Sequence, residues 1–161
     1  MEKTSLDRID RNILARLQRD ADLPLAELAK AVGLSPSPCW RRVKLLEEAG
    51  YITRRVALLD AAKLNAGVTV FVFVRTSRHS KAWLEGFAEA VQSIPEVVEF
   101  YRMSGDIDYL LKLLVPDIAG YDRAYKRLIE AVELSDVTSA FAMEQIKFST
   151  EVPLDFVAWD R

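Results

Sequence analysis

Residues 33–52 read GLSPSPCWRRVKLLEEAGYI. Two prolines stand directly in front of a helical, basic segment, and their placement decides what the first third of the chain is. Proline disfavours α geometry in the residue before it, so Ser35 and Ser37 are expected outside a helix. Both serines are good N-caps, and proline suits the first helical position, where its missing N–H has no partner to lose. The expected start is therefore Ser37 as cap and Pro38 as first helical residue, with Gly50 as the stop. At about 100° per residue, Cys39, Val43, Leu46 and Gly50 share one face, while Arg41, Lys44, Leu45 and Glu48 lie opposite, with Trp40 and Arg42 at the seam.

Two shorter periodic segments precede this helix. Leu6, Ile9, Ile13 and Leu17 recur at three- and four-residue steps, with Thr4 or Ser5 as cap. Leu25, Leu28, Ala29 and Val32 form a second apolar face, opened by Pro24 and stopped by Gly33, a residue tolerant of left-handed geometry. A short bend, LSPS, then leads to the third helix, which is helix-turn-helix spacing. In such motifs the start of the second helix of the pair enters the major groove, where arginine can pair with guanine. Free N–H groups at that helix start would also attract phosphate. Arg54 and Arg55, just beyond, are placed to grip the backbone.

Beyond Gly67 the pattern changes. VTVFVFV (68–74) is β-branched and aromatic, hence a strand. SKAWLEGFAEAVQSI sets Trp83 or Leu84, Phe87, Ala88 and Val91 on one helical face. EVVEFYRMS and DYLLKLLVP read as strands joined by the short turn GDID. Tyr121, Tyr125, Leu128 and Val132 mark another helix, capped by Asp117, and VTSAFAMEQIKFST (137–150) is a final strand. The order is β-α-β-β-α-β, the split ferredoxin-like arrangement, so the fold class is α+β. Expected boundaries are a helix-turn-helix domain at 1–52, a strand and linker at 53–67, and a ferredoxin-like domain at 68–161.

Charge is distributed to match. The chain has 161 residues and net charge −2, yet residues 1–60 carry 11 Lys/Arg against 9 Asp/Glu, and the rest 11 against 15. A locally basic head on an acidic remainder suits a DNA reader joined to something that is not one. The longest apolar runs fall far short of the roughly 20 residues that span a bilayer. The start lacks the apolar core of a secretory signal, and one cysteine cannot form an internal disulfide, so a cytoplasmic protein is expected. Cys39 falls on the inward face, and His79 stands without a cysteine or histidine partner nearby. No nucleophile–base pair, glycine-rich phosphate loop or carboxylate constellation is visible, so neither enzyme nor metal or cofactor is expected.

Three stretches, LDRIDRNILARLQRD, LAELAKAVGLSPSPCWRRVKLLEEAGYI and SGDIDYLLKLLV, resemble the Lrp/AsnC (leucine-responsive, feast/famine) transcriptional regulators, in the family's order and across nearly the whole chain. The resemblance implies a winged helix-turn-helix, a strand-containing linker, and a C-terminal α/β sandwich that dimerises and senses small molecules, commonly amino acids. It further implies double-stranded DNA as partner and homodimers that assemble to octamers. Ser37, Pro38, Trp40, Arg41, Arg42 and Lys44 fall where the family's recognition helix meets DNA. Leu45 stands where a basic residue is expected. Met103, Ser104, Gly105, Asp106 and Asp108 fall on the effector loop. Its chemistry suits an amino acid: Gly105 permits close approach, turn N–H groups bind a carboxylate, and Asp106 or Asp108 receives an ammonium. VTVFVFV is apolar on both faces, more than one helix layer covers, which points to sheet-to-sheet dimerisation. The rival is a stand-alone metabolite-binding module whose helical appendage docks on protein. An enzyme would have only Asp106, Asp108 and His79 to work with.

Overall fold

The structure, a computed structural model, describes residues 6–77, 80–131 and 133–157. The chain divides into two units, Met1–Leu58 with Lys147–Arg161, and Leu59–Ile146.

In the first unit, α1 spans Arg8–Leu17, α2 Leu25–Ala31 and α3 Pro36–Glu48. Their inward faces are those the periodicity predicts: Ile13, Leu28, Ala29, Cys39, Val43 and Leu46 are buried together. Gly33 (φ +73) and Gly50 (φ +78) end α2 and α3 in left-handed geometry. Each end is closed by the paired backbone bonds of a Schellman turn, Leu34 N–H to Ala29 O at 2.9 Å and Tyr51 N–H to Leu46 O at 3.0 Å. Among the described residues, the helix starts differ from expectation. Thr4 and Ser5 lie outside the described residues, and α1 is capped by Asp7 in a reciprocal box with Asp10. For α3 the cap is Ser35, and both prolines lie inside the first turn. The first N–H that needs a helical carbonyl is Cys39's, which bonds Ser35 O at 3.2 Å. Pro36 and Pro38 therefore forfeit no helix bond, and Ser37 accepts helical geometry despite the proline after it.

In the second unit, β1 (Val68–Arg75), β2 (Val97–Arg102), β3 (Tyr109–Val115) and β4 (Asp136–Phe141) form one sheet in the order β2-β3-β1-β4, every neighbour antiparallel. Helices α4 (Lys81–Gln92) and α5 (Ile118–Ala131) pack on one face, over Val70, Val72, Val74, Leu111 and Leu113. Phe87 is fully buried and meets Trp83, Phe100 and Tyr109 with ring centroids 5.0–5.3 Å apart. Ser80 caps α4, and Asp117 caps α5 by accepting Gly120 N–H at 2.6 Å. The inward face of α5 is Gly120, Ala124 and Leu128, with Tyr121 at its margin; Val132 lies outside the described residues. Gly120 is required by space, since a Cβ there would sit 2.8 Å from Pro116 Cδ.

Two expected strand segments are not in ladders. Residues 53–60 make no ladder among the described residues, and Val56, Leu58 and Leu59 are exposed. A strand exists only against a partner, and among the described residues none pairs with this stretch. The final strand stops at Phe141, and Met143, Ile146 and Phe148 are exposed. The chain beyond Ile146 belongs to the first unit instead of the ferredoxin-like one. There Arg19 Nε meets Glu151 Oε2 at 2.9 Å, Val152 N–H donates to Gln18 Oε1 at 2.9 Å, and Arg11 pairs with Asp155.

Candidate nucleic-acid interface and effector loop

The outward side of α3 presents Ser37, Trp40, Arg41, Lys44 and Leu45, all exposed, with Trp40 at 54% and Leu45 at 51%. An exposed tryptophan beside an exposed arginine is an unusual way to leave a helix of a small bundle, because the core has room requirements that Cys39, Val43 and Leu46 already satisfy. Pro38 is half-buried at the base of this face. The prolines also limit phosphate capture: of the first three α3 residues, only Ser37 has an N–H to offer.

The cations of this region are not equivalent. Arg41 and Arg54 are exposed, and among the described residues neither joins an ion pair. Lys44 Nζ lies 2.6 Å from Glu47 Oε2, and Arg55 Nη2 lies 3.1 Å from Glu47 Oε1. The hydrogen bond from Lys44, with Arg55 adding to it, holds the Glu47 carboxyl below its ordinary range. These are surface pairs of small worth that a phosphate can replace. Arg42 differs, and the expectation that it meets DNA does not fit its surroundings. Its Nη1 lies 2.8 Å from Asp7 Oδ2 and 2.8 Å from Asp10 Oδ1. Burial alone would raise the Asp7 carboxyl, but the Asp10 N–H and the Arg42 guanidinium outweigh it and hold it low. The D-x-x-D spacing of LDRID is a capping-box signature that could have pointed to α1's true start; the link to Arg42 has no local signal. Cys39 is fully buried and burial pushes its thiol up, which suits a core residue.

In the second unit, the segment from Met103 to Asp108 joins β2 to β3. Gly105 has φ +113, a backbone conformation that L side chains rarely adopt, with open space where a Cβ would stand. The loop is pinned from beneath: Met103 N–H donates to Asp108 O at 2.8 Å, and Asp108 N–H to Val74 O at 3.0 Å. Asp108 Oδ2 accepts Thr76 N–H at 2.8 Å, and Arg75 Nε donates to Asp106 O at 2.7 Å. Asp108 is thus half-buried and bonded into the sheet edge, whereas Met103, Ser104, Gly105 and Asp106 are exposed. Of the two aspartates expected to receive an ammonium, Asp106 is the exposed one, while one oxygen of Asp108 is taken by Thr76 N–H. Arg75 and Thr76, which brace the loop, carry no sequence signal beyond lying at a strand end. His79 lies outside the described residues. Among the described residues, no group of three or more His, Cys, Asp or Glu could hold a metal ion, and no helix is long and apolar enough to cross a membrane.

Residues 6–53 match the winged helix-turn-helix DNA-binding family, and residues 69–152 match the Lrp/AsnC ligand binding domain. The chain is 52% identical over 149 residues to the glutamate uptake regulatory protein of Zymomonas mobilis, which covers 92% of this chain and 91% of that one. It is 50% identical over 151 residues to the DNA-binding transcriptional activator DecR of Escherichia coli, covering 93% and 99%. Among solved structures, an AsnC family transcriptional regulator from Agrobacterium tumefaciens superposes with TM-score 0.92 at 61% identity, covering 95% of this chain and 100% of that one. A transcriptional regulator from Neisseria meningitidis in complex with L-Met superposes with TM-score 0.89 at 36% identity, covering 94% and 98%. A helix-turn-helix followed in sequence by a four-stranded ligand-binding fold, with both family matches and these relatives, places this chain in the Lrp/AsnC family of DNA-binding transcriptional regulators, which are not enzymes.

Proposed function

We propose that the chain reads double-stranded DNA through the outward face of α3, as a homodimer that assembles further, and that an amino acid seated on the 103–108 loop shifts its DNA-competent population. The exposed pair Trp40–Arg41 carries the DNA assignment, because it leaves one paired donor and one apolar surface free for base edges. Ser37 and Pro38, in the first turn of α3, lie beside this pair at the DNA-facing end, while Arg54, with Lys44 and Arg55 once freed from Glu47, faces phosphate. Such a protein works in the compartment that holds the DNA, the cytoplasm. Self-association is supported by the unladdered apolar stretch Val56–Leu59 and by the far face of the sheet, where Phe71 and Phe73 pair with Lys112 and Leu110 in a face that no helix covers. A two-fold dimer would present two α3 helices to half-sites about 34–36 Å apart, one helical turn.

A gel-shift titration against the chain's own upstream region tests the reading. Binding is expected to fall steeply with salt, as phosphate contacts require. Arg41→Ala should lose about 1–3 kcal/mol on the specific duplex and much less on a scrambled one. No shift at low salt with excess protein would remove the DNA reading, and an unchanged Arg41→Ala footprint would remove Arg41 from it.

The effector assignment rests on the pinned, glycine-containing turn and its exposed Asp106. An amino acid at 100 times its Kd should stabilise the protein by about 2.7 kcal/mol, visible as a higher melting temperature. Asp106→Asn should abolish that rise and leave the unliganded melt in place. A screen of the common amino acids in which none moves the melt, or in which Asp106→Asn responds like the unaltered chain, would reject this loop as the site.

A further inference from the structure

Arg42 belongs to the reading helix by sequence and to α1 by contact. Each of its two carboxylate partners spends one oxygen on the start of α1 and the other on the guanidinium. Asp7 Oδ1 accepts the N–H groups of Ile9 at 2.8 Å and Asp10 at 2.9 Å, while its Oδ2 meets Arg42 Nη1 at 2.8 Å. Asp10 Oδ2 accepts Asp7 N–H at 3.1 Å, while its Oδ1 meets the same Nη1 at 2.8 Å. The cap of α1 and the middle of α3 are therefore one closed network. Asp10 is 8% exposed, so this network sits at the margin of the core.

A guanidinium held this way is a poor phosphate ligand. Leaving for DNA would strand two carboxylates side by side, one of them buried, and breaking one partner out of such a set is strongly unfavourable. Two carboxylates around one guanidinium also leave a net negative site, which repels phosphate. What the network can do is fix rotation. The contacts of Ile13, Cys39, Val43 and Leu46 are apolar and non-directional, so they resist separation of the helices better than rolling. A roll of about 20° carries a side-chain tip at the helix's outer radius about 2 Å sideways, while a hydrogen bond to a base edge tolerates a few tenths of an ångström. Charge-assisted bonds are directional and resist such a roll.

We infer that Arg42 is a positioning residue for DNA reading, locked by Asp7 and Asp10 so that Trp40 and Arg41 are aimed at the duplex, and that it does not touch DNA itself. The role rests on the proposed reading function of α3.

The carboxylates make the test a matter of sign. Specific and scrambled duplexes, the former recovered by binding-site selection with the unaltered protein, are titrated with Asp10→Asn, Arg42→Gln and the double variant over a range of salt. A positioning role predicts that Asp10→Asn weakens specific binding about tenfold, that Arg42→Gln does the same, and that the double variant is no weaker than either single one. It also predicts that the salt slope on the scrambled duplex is unchanged. Arg42→Lys keeps the charge and the fold but replaces the planar guanidinium with a shorter, freely rotating ammonium, which holds the two carboxylates with less directional control. It should retain affinity for the scrambled duplex while the specific-over-scrambled ratio drops about tenfold. Tighter or unchanged binding by Asp10→Asn, together with an Arg42→Gln loss on every sequence and a salt slope smaller by about one, would make Arg42 a phosphate contact and overturn the inference. Absence of any binding by the unaltered protein would overturn the reading function and this role with it.

Discussion

Aspartate in place of Phe73 is expected to turn the protein into a monomer and to lower its affinity for a symmetric two-half-site duplex about 10²-fold or more. Along β1 the buried side chains are Val70, Val72 and Val74, so strand alternation puts Thr69, Phe71 and Phe73 on the other face. Across that face Phe73 stands opposite Leu110 on one side and Thr138 on the other, and Phe71 opposite Lys112 and Ala140. Both helices lie on the Val face, so among the described residues no helix covers the phenylalanines, which are half-buried by their neighbours in the sheet. Charged groups on that face include Arg75 and Asp136 at its edge, 3.7 Å apart, and Lys112 near its middle, whose Nζ meets Glu99 Oε1 at 2.7 Å while Tyr101 OH donates to Glu99 Oε2 at 2.7 Å. Enclosed between two copies, this cluster would favour one register of sheet on sheet, since any slip would leave its charges against Phe or Leu. A carboxylate at position 73 would be buried without a partner in the dimer but solvated in the monomer, so it should act on association and spare the fold. Two linked heads gain roughly 10²–10⁴ in avidity over one, and that gain is what the variant forfeits. Light scattering gives the mass, far-ultraviolet circular dichroism the retained fold, and gel shifts on one- and two-half-site duplexes the avidity. A variant that keeps the dimer mass and binds both duplexes as before would show that the copies meet elsewhere.

Elements with a strong period were legible from residue spacing alone. Cys39, Val43 and Leu46 point inward in α3, and Phe87 and Val91 in α4, as the spacing requires. The four strands pair in the order a β-α-β-β-α-β chain demands. Starts were harder, because several residues compete for each cap. Ser35 and Ser37 are chemically the same, and the helix prefers the earlier one because only Cys39 and later residues have an N–H that must be bonded. The basic face was legible as a set but not member by member. Arg42 and Asp10 are 32 residues apart in sequence, and only folding of α1 against α3 brings them together. The same holds for Asp108, whose carboxylate finds Thr76 N–H across two strands. A charge pattern says where cations are concentrated; which of them stay free for a ligand is a tertiary question. The tail is a further case. MEQIKFST alternates well enough for a strand, but β1 already has β3 and β4 on its two edges, and β4's outer edge pairs with no strand among the described residues.

Alanine at Phe87 should cost about 3–5 kcal/mol of stability, a large share of the roughly 5–15 kcal/mol that a domain has to lose. Phe87 is 0% exposed and sits where α4 meets the sheet. Its ring faces Phe100 and Tyr109 edge-on, with interplanar angles of 83° and 74°, and lies against Trp83 at 5.0 Å. Removing it leaves a cavity bounded by three rigid rings, and rings cannot close a gap as flexible aliphatic chains can, so the cost should fall toward the upper end of the range. Phe87→Leu keeps most of the volume and should lose clearly less. The consequence reaches the effector loop. Tyr109, which opens β3 directly after Asp108, packs edge-on against Phe87 and tilted against Trp83, so a hole at 87 loosens the strand that holds the loop. Denaturant unfolding followed by tryptophan fluorescence reads the stability through Trp83, inside the affected cluster. An amino-acid melting shift repeated on Phe87→Leu reads the loop. A loss under about 1 kcal/mol for the alanine variant would mean that the aromatic cluster repacks freely. In that case the loop must be held chiefly by its hydrogen bonds: Asp108 N–H to Val74 O, Thr76 N–H to the Asp108 carboxylate, and Arg75 Nε to Asp106 O.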